Sequence, residues 1–346
     1  MKKFFKIFLL FVLFQIIFIP ALSIVLIYYG PFQYTREMIV TTAMTTMSHQ
    51  YFATWFLSDE EIQEILDRNR PDEIIDAQNL EEIDIKDVQV SDVSNPKEGI
   101  EYVDVSTSTY KGYLLIIKDP KRVKLVSAPR IGTVGSTVKQ IVDNNNAIGG
   151  INAGGFADDA LGTGGKPDGL VIVNGEYVSG NKNQAYSVVG IDAEGKMVVS
   201  NSMTYKKAKQ LNLQSAVSFG PVIVINGNPT IRSGSGGWGI QPRTAIGQRK
   251  DGTILMLVID GRQAGSLGAT LKNVQDIFLQ YDAYNAFNLD GGASSTMVFD
   301  GKVINSPSDI MGERYVPNAF IITKPVATTQ NTESTQTTET TDNTNY

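Results

Sequence analysis

The chain has no cysteine and one histidine, His49, among its 346 residues. Thiol nucleophiles, disulfides, Cys-ligated zinc and multi-histidine metal sites are therefore excluded. A Ser-His-Asp triad can be built only on His49. Chemistry falls to carboxylates, arginines, hydroxyls and amides, and these gather in five clusters. They are Gly149-Gly150-Ile151-Asn152-Ala153-Gly154-Gly155-Phe156, Gln241-Pro242-Arg243-Thr244-Ala245 and Ile259-Asp260-Gly261-Arg262, followed by the run from Asn288 to Thr296 and the run from Gly312 to Ala319. In the first, glycines admit a ligand close to the backbone while Asn152 offers both a donor and an acceptor. A tight strand crossing that needs small residues would give the same pattern. Asp-Gly pairs also end strands, so Asp260 reads equally well as a turn residue, and Asp290, though read as functional, has the same structural alternative. Glu313 reads equally well as an ion-pair partner of an arginine.

Taken together, the ordered motifs are more specific than any one of them. Arg243-Thr244-Ala245, Asp260-Gly261-Arg262, Asn288-Leu289-Asp290-Gly291-Gly292-Ala293-Ser294-Ser295-Thr296 and Glu313-Arg314 with Asn318-Ala319 resemble the phosphodiester glycosidase family. The resemblance covers most of the span from about Lys111 to Thr323 and includes the Asn152 cluster. It does not reach the N-terminal segments or the C-terminal tail. One departure is visible: members of the family commonly carry three glycines after the aspartate, whereas this chain has Gly291-Gly292-Ala293. The resemblance implies a hydrolase that takes the sugar off a sugar phosphodiester and leaves the phosphomonoester.

A phosphodiester is an anion, and Arg243 and Arg262 at neighbouring strand ends are expected to clamp its oxygens, with Arg314 as a third cation. Backbone N–H groups of Gly291, Gly292 and the Ser294-Ser295-Thr296 run offer an anion nest, and the three hydroxyls offer bonds to phosphate or sugar. Asn152, Thr244 and Asn318 complete the substrate-binding candidates. Breaking a glycosidic bond calls for carboxylates around an oxocarbenium-like centre, and the candidates are Asp290, Asp260 and Glu313. Phosphate is already a good leaving group, so the need for a general acid is small. Asp158, Asp159 and Asp168 could hold Ca²⁺ through oxygen, but EF-hand spacing is absent and the metal is left unassigned.

The elements that must carry these residues are mostly short strands. Asn174-Gly175, Ala193-Glu194-Gly195, Asn226-Gly227, Asp251-Gly252 and Asp300-Gly301 punctuate apolar runs as hairpin turns do. Two helices are expected, over Val134–Val142 and Leu271–Tyr281, the second with Leu271, Val274, Ile277, Phe278 and Tyr281 on one face. The class is α+β, a strand-rich catalytic domain with few helices spanning 101–323.

The flanks do other work. Lys2, Lys3 and Lys6 precede an apolar run from Ile7 to Tyr29. About 23 apolar residues span a hydrocarbon core of roughly 30 Å, and the basic flank keeps that end in the cytoplasm and the body outside. Residues 1–30 are therefore expected to be an uncleaved membrane anchor, since the Ala21-Leu22-Ser23 stretch is a poor cleavage site. Residues 31–100 read as a stalk, helical over about 35–69 with Ser58 capping Asp59-Glu60-Glu61, then acidic and solvated. Residues 324–346 are Thr-rich, too poor in apolar side chains to fold. Thirty basic against 36 acidic residues leave a net charge of -6, which argues against a nucleic-acid partner. Envelope or exopolysaccharide glycans are the expected substrates. An envelope phosphodiesterase cutting P–O bonds of a teichoic-acid-like polymer and a non-catalytic glycan-binding module are the other readings. The sequence assigns no oligomeric state.

Overall fold

The computed structural model describes residues 2–46, 49–72, 78–85, 95, 97–157 and 162–325. The expected Thr-rich tail lies almost wholly outside the described residues, as do Asp158 and Asp159. Helix α1 (Lys2–Tyr29) is followed by α2 (Gln33–Met44), α3 (Tyr51–Thr54) and α4 (Asp59–Asn69). The strand-rich part then runs β1 (Ile100–Asp104), β2 (Gly112–Ile117), β3 (Val123–Ser127), α5 (Val138–Asn144), β4 (Gly149–Asn152), β5 (Val171–Val173), β6 (Glu176–Ser179), β7 (Tyr186–Asp192) and β8 (Met197–Met203). It continues through α6 (Tyr205–Gln210), β9 (Leu213–Ser218), β10 (Val222–Ile225), β11 (Asn228–Pro229), β12 (Arg243–Arg249) and β13 (Ile254–Ile259). It closes with α7 (Leu271–Gln280), β14 (Ala283–Leu289), β15 (Met297–Phe299), β16 (Lys302–Val303) and β17 (Asn318–Ile322). The class is α+β; among the described residues four helices precede the first strand, and three lie among the strands where two were expected, the additional one being α6.

The strands form three antiparallel sheets. Their orders are β1-β2-β13-β12-β14-β10-β11, β16-β15-β4-β17-β3 and β6-β5-β9-β7-β8. The two-residue period of the strands decides which core each side chain enters. Leu115, Ile117, Met256 and Val258 join Ile151, Phe320, Val189 and Val217 in one core shared by all three sheets. Their neighbours Leu114, Ile116, Leu255 and Leu257 point the other way, where Leu271, Val274, Ile277 and Phe278 of α7 cover them. Gly247 is needed there for close approach, because a Cβ on it would stand 2.8 Å from the Phe278 ring. Asn174-Gly175 and Asn226-Gly227 have positive φ at both positions and close the β5–β6 and β10–β11 hairpins.

Helix starts follow capping chemistry. Ser58 with Glu61, Thr137 with Gln140 and Thr270 with Asn273 each make a reciprocal capping box. The cap at Thr137 moves the first inter-strand helix to Val138, four residues later than its apolar pattern alone suggests.

The N-terminal region differs from a free-standing stalk. The span Lys3–Tyr29 contains an 18-residue stretch with a mean hydropathy of 2.8 and is long and apolar enough to cross a membrane by length and composition. Beyond it, Val40, Ala43, Ala53, Leu57, Ile62 and Ile65 pack together with Tyr28. This helical unit is hydrogen-bonded to the strand-rich part: Thr42 Oγ1 accepts from Ile240 N–H at 3.1 Å, and Asn69 Oδ1 accepts from Ser235 N–H at 2.9 Å. Further on, Gln78 straddles β8, its Nε2 donating to Met197 C=O at 2.6 Å and its Oε1 accepting from Val199 N–H at 2.7 Å. Ile83 is fully buried. A solvated linker makes no such contacts.

These contacts set a measurable boundary. Burying Ile83 is worth about 1.5–3 kcal/mol, which corresponds to roughly 3–12 °C in a domain of this size. A truncated protein starting at Gln78 is expected to melt that much higher than one starting at Glu101. Equal melting temperatures in calorimetry would show that residues 78–85 add nothing to the fold.

Candidate active site

Strand register brings the five clusters to one end of the molecule. Arg243 opens β12 opposite Ile259 at the end of β13, and Thr244 stands opposite Leu289 at the end of β14. In the neighbouring sheet Asn152 ends β4 opposite Ala319 near the start of β17. The Asn152 side chain ties the two sheets together. Its Oδ1 accepts from Thr244 Oγ1 at 2.8 Å and from Thr296 N–H at 3.1 Å, while its Nδ2 donates to the Asp290 carbonyl at 2.6 Å. Asn318 Oδ1 likewise accepts from Gly154 N–H at 2.8 Å. Asn152, Thr244 and Asn318 are thus wholly buried framework groups.

The turn after Asp290 also turns inward. Gly292 N–H donates to Pro242 C=O at 2.9 Å, Ser294 N–H to Gly291 C=O and Ser295 N–H to Gly292 C=O, both at 3.2 Å. With Thr296 N–H on Asn152, four of the N–H groups expected to cradle an anion are used within the protein. Gly291 is required because a Cβ there would sit 2.8 Å from Pro242 C=O. Ser294, Ser295 and Thr296 are buried.

The arginines divide in the same way. Arg243 is buried, donating from Nε to Ala269 C=O at 3.0 Å and from Nη2 to Trp238 and Gly239 C=O at 2.8 and 2.7 Å. Burial, with the nearby Arg262 charge, pushes its pKa down to about 9. Arg262, at φ +59°, donates from Nε to Gln241 Oε1 at 3.1 Å, and burial lowers its pKa too. A Cβ on Gly292 would begin 3.5 Å from Arg262 Nη2, so the glycine turn rests against this guanidinium. Arg314 stands elsewhere, 5.0 Å from the centre of the Phe156 ring.

Asp260 and Glu313 are held by structural partners. Asp260 accepts from Asn305 Nδ2 at 2.9 Å, Ser306 N–H at 3.0 Å and Tyr113 OH at 3.2 Å. Burial raises its pKa against the pull of these bonds. The Tyr113 hydroxyl is pushed up to about 12 by burial and by the Asp260 charge. Glu313 accepts from Lys139 N–H at 3.1 Å in the first turn of α5, where a carboxylate suits the helix end, and burial raises its pKa as well.

Asp290 is the candidate carboxylate that lines a polar cavity. The cavity has a volume of about 420 Å³ and is walled by Asp290, Asp168, Phe156, Tyr186, Ser187, Ser218, Phe219 and Trp238 together with Gly155, Gly169 and Gln184. Phe219 and Trp238 meet edge to face at 5.5 Å. The cavity thus holds two carboxylates, an aromatic corner and several hydroxyls, and one of its walls, Phe156, carries the Arg314 guanidinium against its ring. That set suits a sugar. Sequence reasoning noticed Asp168 only as a calcium donor and missed Trp238, Phe219, Tyr186 and Ser187. The Asp168-Gly169 pair before β5 repeats the Asp-Gly signature of positions 260 and 290, and that signal could have found it. Among the described residues no group of three or more acidic or histidine side chains could hold a metal ion.

If Asn152 fastens the site, Asn152→Ala leaves Thr296 N–H and the Asp290 carbonyl without buried partners. A loss of about 2–3 kcal/mol is expected, read from the denaturant midpoint, since each unsatisfied buried group costs about 1–3 kcal/mol. A variant as stable as the parent would remove Asn152 from that role.

Comparison with known proteins bears on the family. The phosphodiester glycosidase family model matches residues 145–323, just over half of the chain. A SPbeta prophage-derived uncharacterized protein of Bacillus subtilis is 45% identical over 84 residues, 24% of this chain and 13% of that protein. Bovine N-acetylglucosamine-1-phosphodiester alpha-N-acetylglucosaminidase is 40% identical over 70 residues, 20% of this chain and 13% of that enzyme. The chain therefore aligns with only a small part of these relatives. The catalytic domain of the zebrafish enzyme of the same name shares the fold, with a TM-score of 0.55 and 22% identity over 65% of this chain and 82% of that one. On the family match and the motifs gathered around Asn152, the chain belongs to the phosphodiester glycosidase family.

Proposed function

We propose that this protein hydrolyses the glycosidic C1–O bond of a sugar phosphodiester in envelope or exopolysaccharide glycans, releasing the sugar and a phosphomonoester. The observation that carries this reading is that Asp290 and Asp168 line one polar cavity beneath the family's motif. Two carboxylates flanking an anomeric carbon serve as nucleophile or base and as its partner. The phosphate departs as a stable anion, so little proton donation is needed. The Phe219–Trp238 corner offers an apolar wall for a sugar face, and Tyr186, Ser187 and Ser218 offer hydrogen bonds. Asp260, Arg243 and Glu313 act behind this surface, holding the loops that bear it. The name of the bovine relative, which describes cleavage at a sugar-1-phosphodiester, supports the bond assignment. Calcium held by Asp158, Asp159 and Asp168 remains a separate proposal, and no step here uses it.

The N-terminal helix, with Lys2, Lys3 and Lys6 in its first turns, supports a single-pass anchor with the catalytic domain outside the cytoplasm. Protease added to intact cells is then expected to remove the domain. Protection of the domain while other surface proteins are digested would refute that topology.

The catalytic assignment is tested by Asp290→Asn and Asp168→Asn, which keep shape and remove charge. Each is expected to lower kcat on a sugar phosphodiester by about 10²-fold or more with little change in thermal unfolding. A well-folded Asp290→Asn protein with parental kcat would remove Asp290 from the reaction. Accumulation of sugar phosphate in place of free sugar would overturn the bond assignment.

A further inference from the structure

A second cavity, of about 590 Å³, opens on the other side of the 238–241 segment from the Asp290 cavity. Its walls are the membrane-proximal helix α2, through Thr35, Met38, Ile39 and Thr42, and the strand-rich part, through Ile240 and Leu267. The lining is overwhelmingly apolar, yet Arg262 stands in it. Arg262 and its neighbour Arg243 bond only to neutral acceptors, Gln241 and backbone carbonyls, and among the described residues neither has a carboxylate partner. Arg243 is buried, and Arg262 beside it stands at an exposed position on the slot without a counter-charge, so this pair of like charges attracts an anion. The same Arg262 abuts Gly292, two residues after Asp290.

The position of the cavity says what else the anion carries. Helix α2 begins four residues after the membrane-length helix ends at Tyr29, and Arg36 Nη1 donates back to Tyr28 C=O at 2.8 Å. Around this junction Phe32, Tyr34, Phe52 and Trp55 are exposed, as aromatic side chains are at a membrane surface. An apolar slot that starts at the bilayer and ends at an unpaired cation fits an amphiphile with an anionic head.

Resting on the proposed C1–O hydrolysis, we infer that the substrate is a glycosyl-1-phosphoryl lipid. Its chain lies in the slot between α2 and Leu267, its phosphate lies toward Arg262 and the Gly291-Gly292 turn, and its sugar reaches the Asp290 cavity. Water adds to C1 as the C1–O bond breaks. The products are free sugar and the lipid phosphomonoester, with one proton released to solvent.

The test uses the full chain in nanodiscs and two diesters of one sugar 1-phosphate, one with a methyl and one with a decyl aglycone. Each buried CH₂ contributes about 0.8 kcal/mol, so a partly buried decyl chain is expected to raise kcat/KM at least about tenfold over methyl. Leu267→Glu and Thr35→Trp, both at exposed positions on opposite walls, are expected to collapse that ratio toward one. Hydrolysis of both diesters with a parental ratio near one would overturn the lipid assignment and leave the hydrolase intact. A ratio unchanged in both variants would also overturn it. If neither diester is hydrolysed, the proposed reaction fails on its own, and binding of decyl phosphate decides the slot. Saturable binding that Leu267→Glu and Thr35→Trp both weaken, with inorganic phosphate far weaker, retains the lipid slot. Absence of saturable binding removes it. Saturable decyl phosphate binding with no aglycone preference in turnover would make the slot a seat for membrane phospholipid and overturn the substrate assignment.

Discussion

The site depends on one buried amide. Asn152 reaches from the end of β4 to Thr244 on the central sheet, to Thr296 after the glycine turn, and to the carbonyl of Asp290 itself. In a buried setting each of these bonds must be made by protein, because no water competes for it and an unmade one is costly. Asn152 therefore fixes where the Asp290 turn lies relative to both sheets. The apolar core under the three sheets positions the strands, and this amide, together with Asp290 N–H on Ala153 C=O and Gly292 N–H on Pro242 C=O, sets the course of the chain beyond Leu289.

The charges around that turn fall into two sets with different duties. Asp260 and Glu313 are held by backbone and side-chain donors, and Arg243 gathers three carbonyls of the loops at 238–239 and 269. Such groups organise loops at the expense of presenting themselves to ligand. Asp290 and Asp168 line the polar cavity, and they are proposed to do the chemistry. The helical unit behind α1 takes part as well: the Gln241 side chain, which receives Arg262, lies within reach of Thr45 just after α2 at 3.5 Å. The N-terminal helical unit and the site are thus linked through a few polar contacts.

Much of this was legible in the chain and some was not. Hairpins could be read because a two-residue turn demands positive φ at both positions, which Asn174-Gly175 and Asn226-Gly227 supply. The α7 face could be read because its apolar residues repeat at helical spacing. The five clusters were recognisable as one site by type and order. Their individual duties were not, since whether Arg243 meets a phosphate or a carbonyl depends on loops nearly thirty residues away at Ala269. Asp168 was passed over as a reacting group because its cavity partners, Phe219 and Trp238, lie fifty to seventy residues downstream. The region before Glu101 looked like linker because its acidic composition hides the few side chains, Asn69, Gln78 and Ile83, that dock it.

The central claim is that the bond broken lies between carbon and oxygen, at the sugar. Free sugar and phosphomonoester also arise if the P–O bond on the sugar side is cut, so the products alone do not locate the break. Hydrolysis in water enriched in ¹⁸O does, through the mass of each product. Label in the released sugar and none in the phosphomonoester is expected. Label in the phosphomonoester would contradict glycosidic cleavage and make the cavity a phosphodiesterase site.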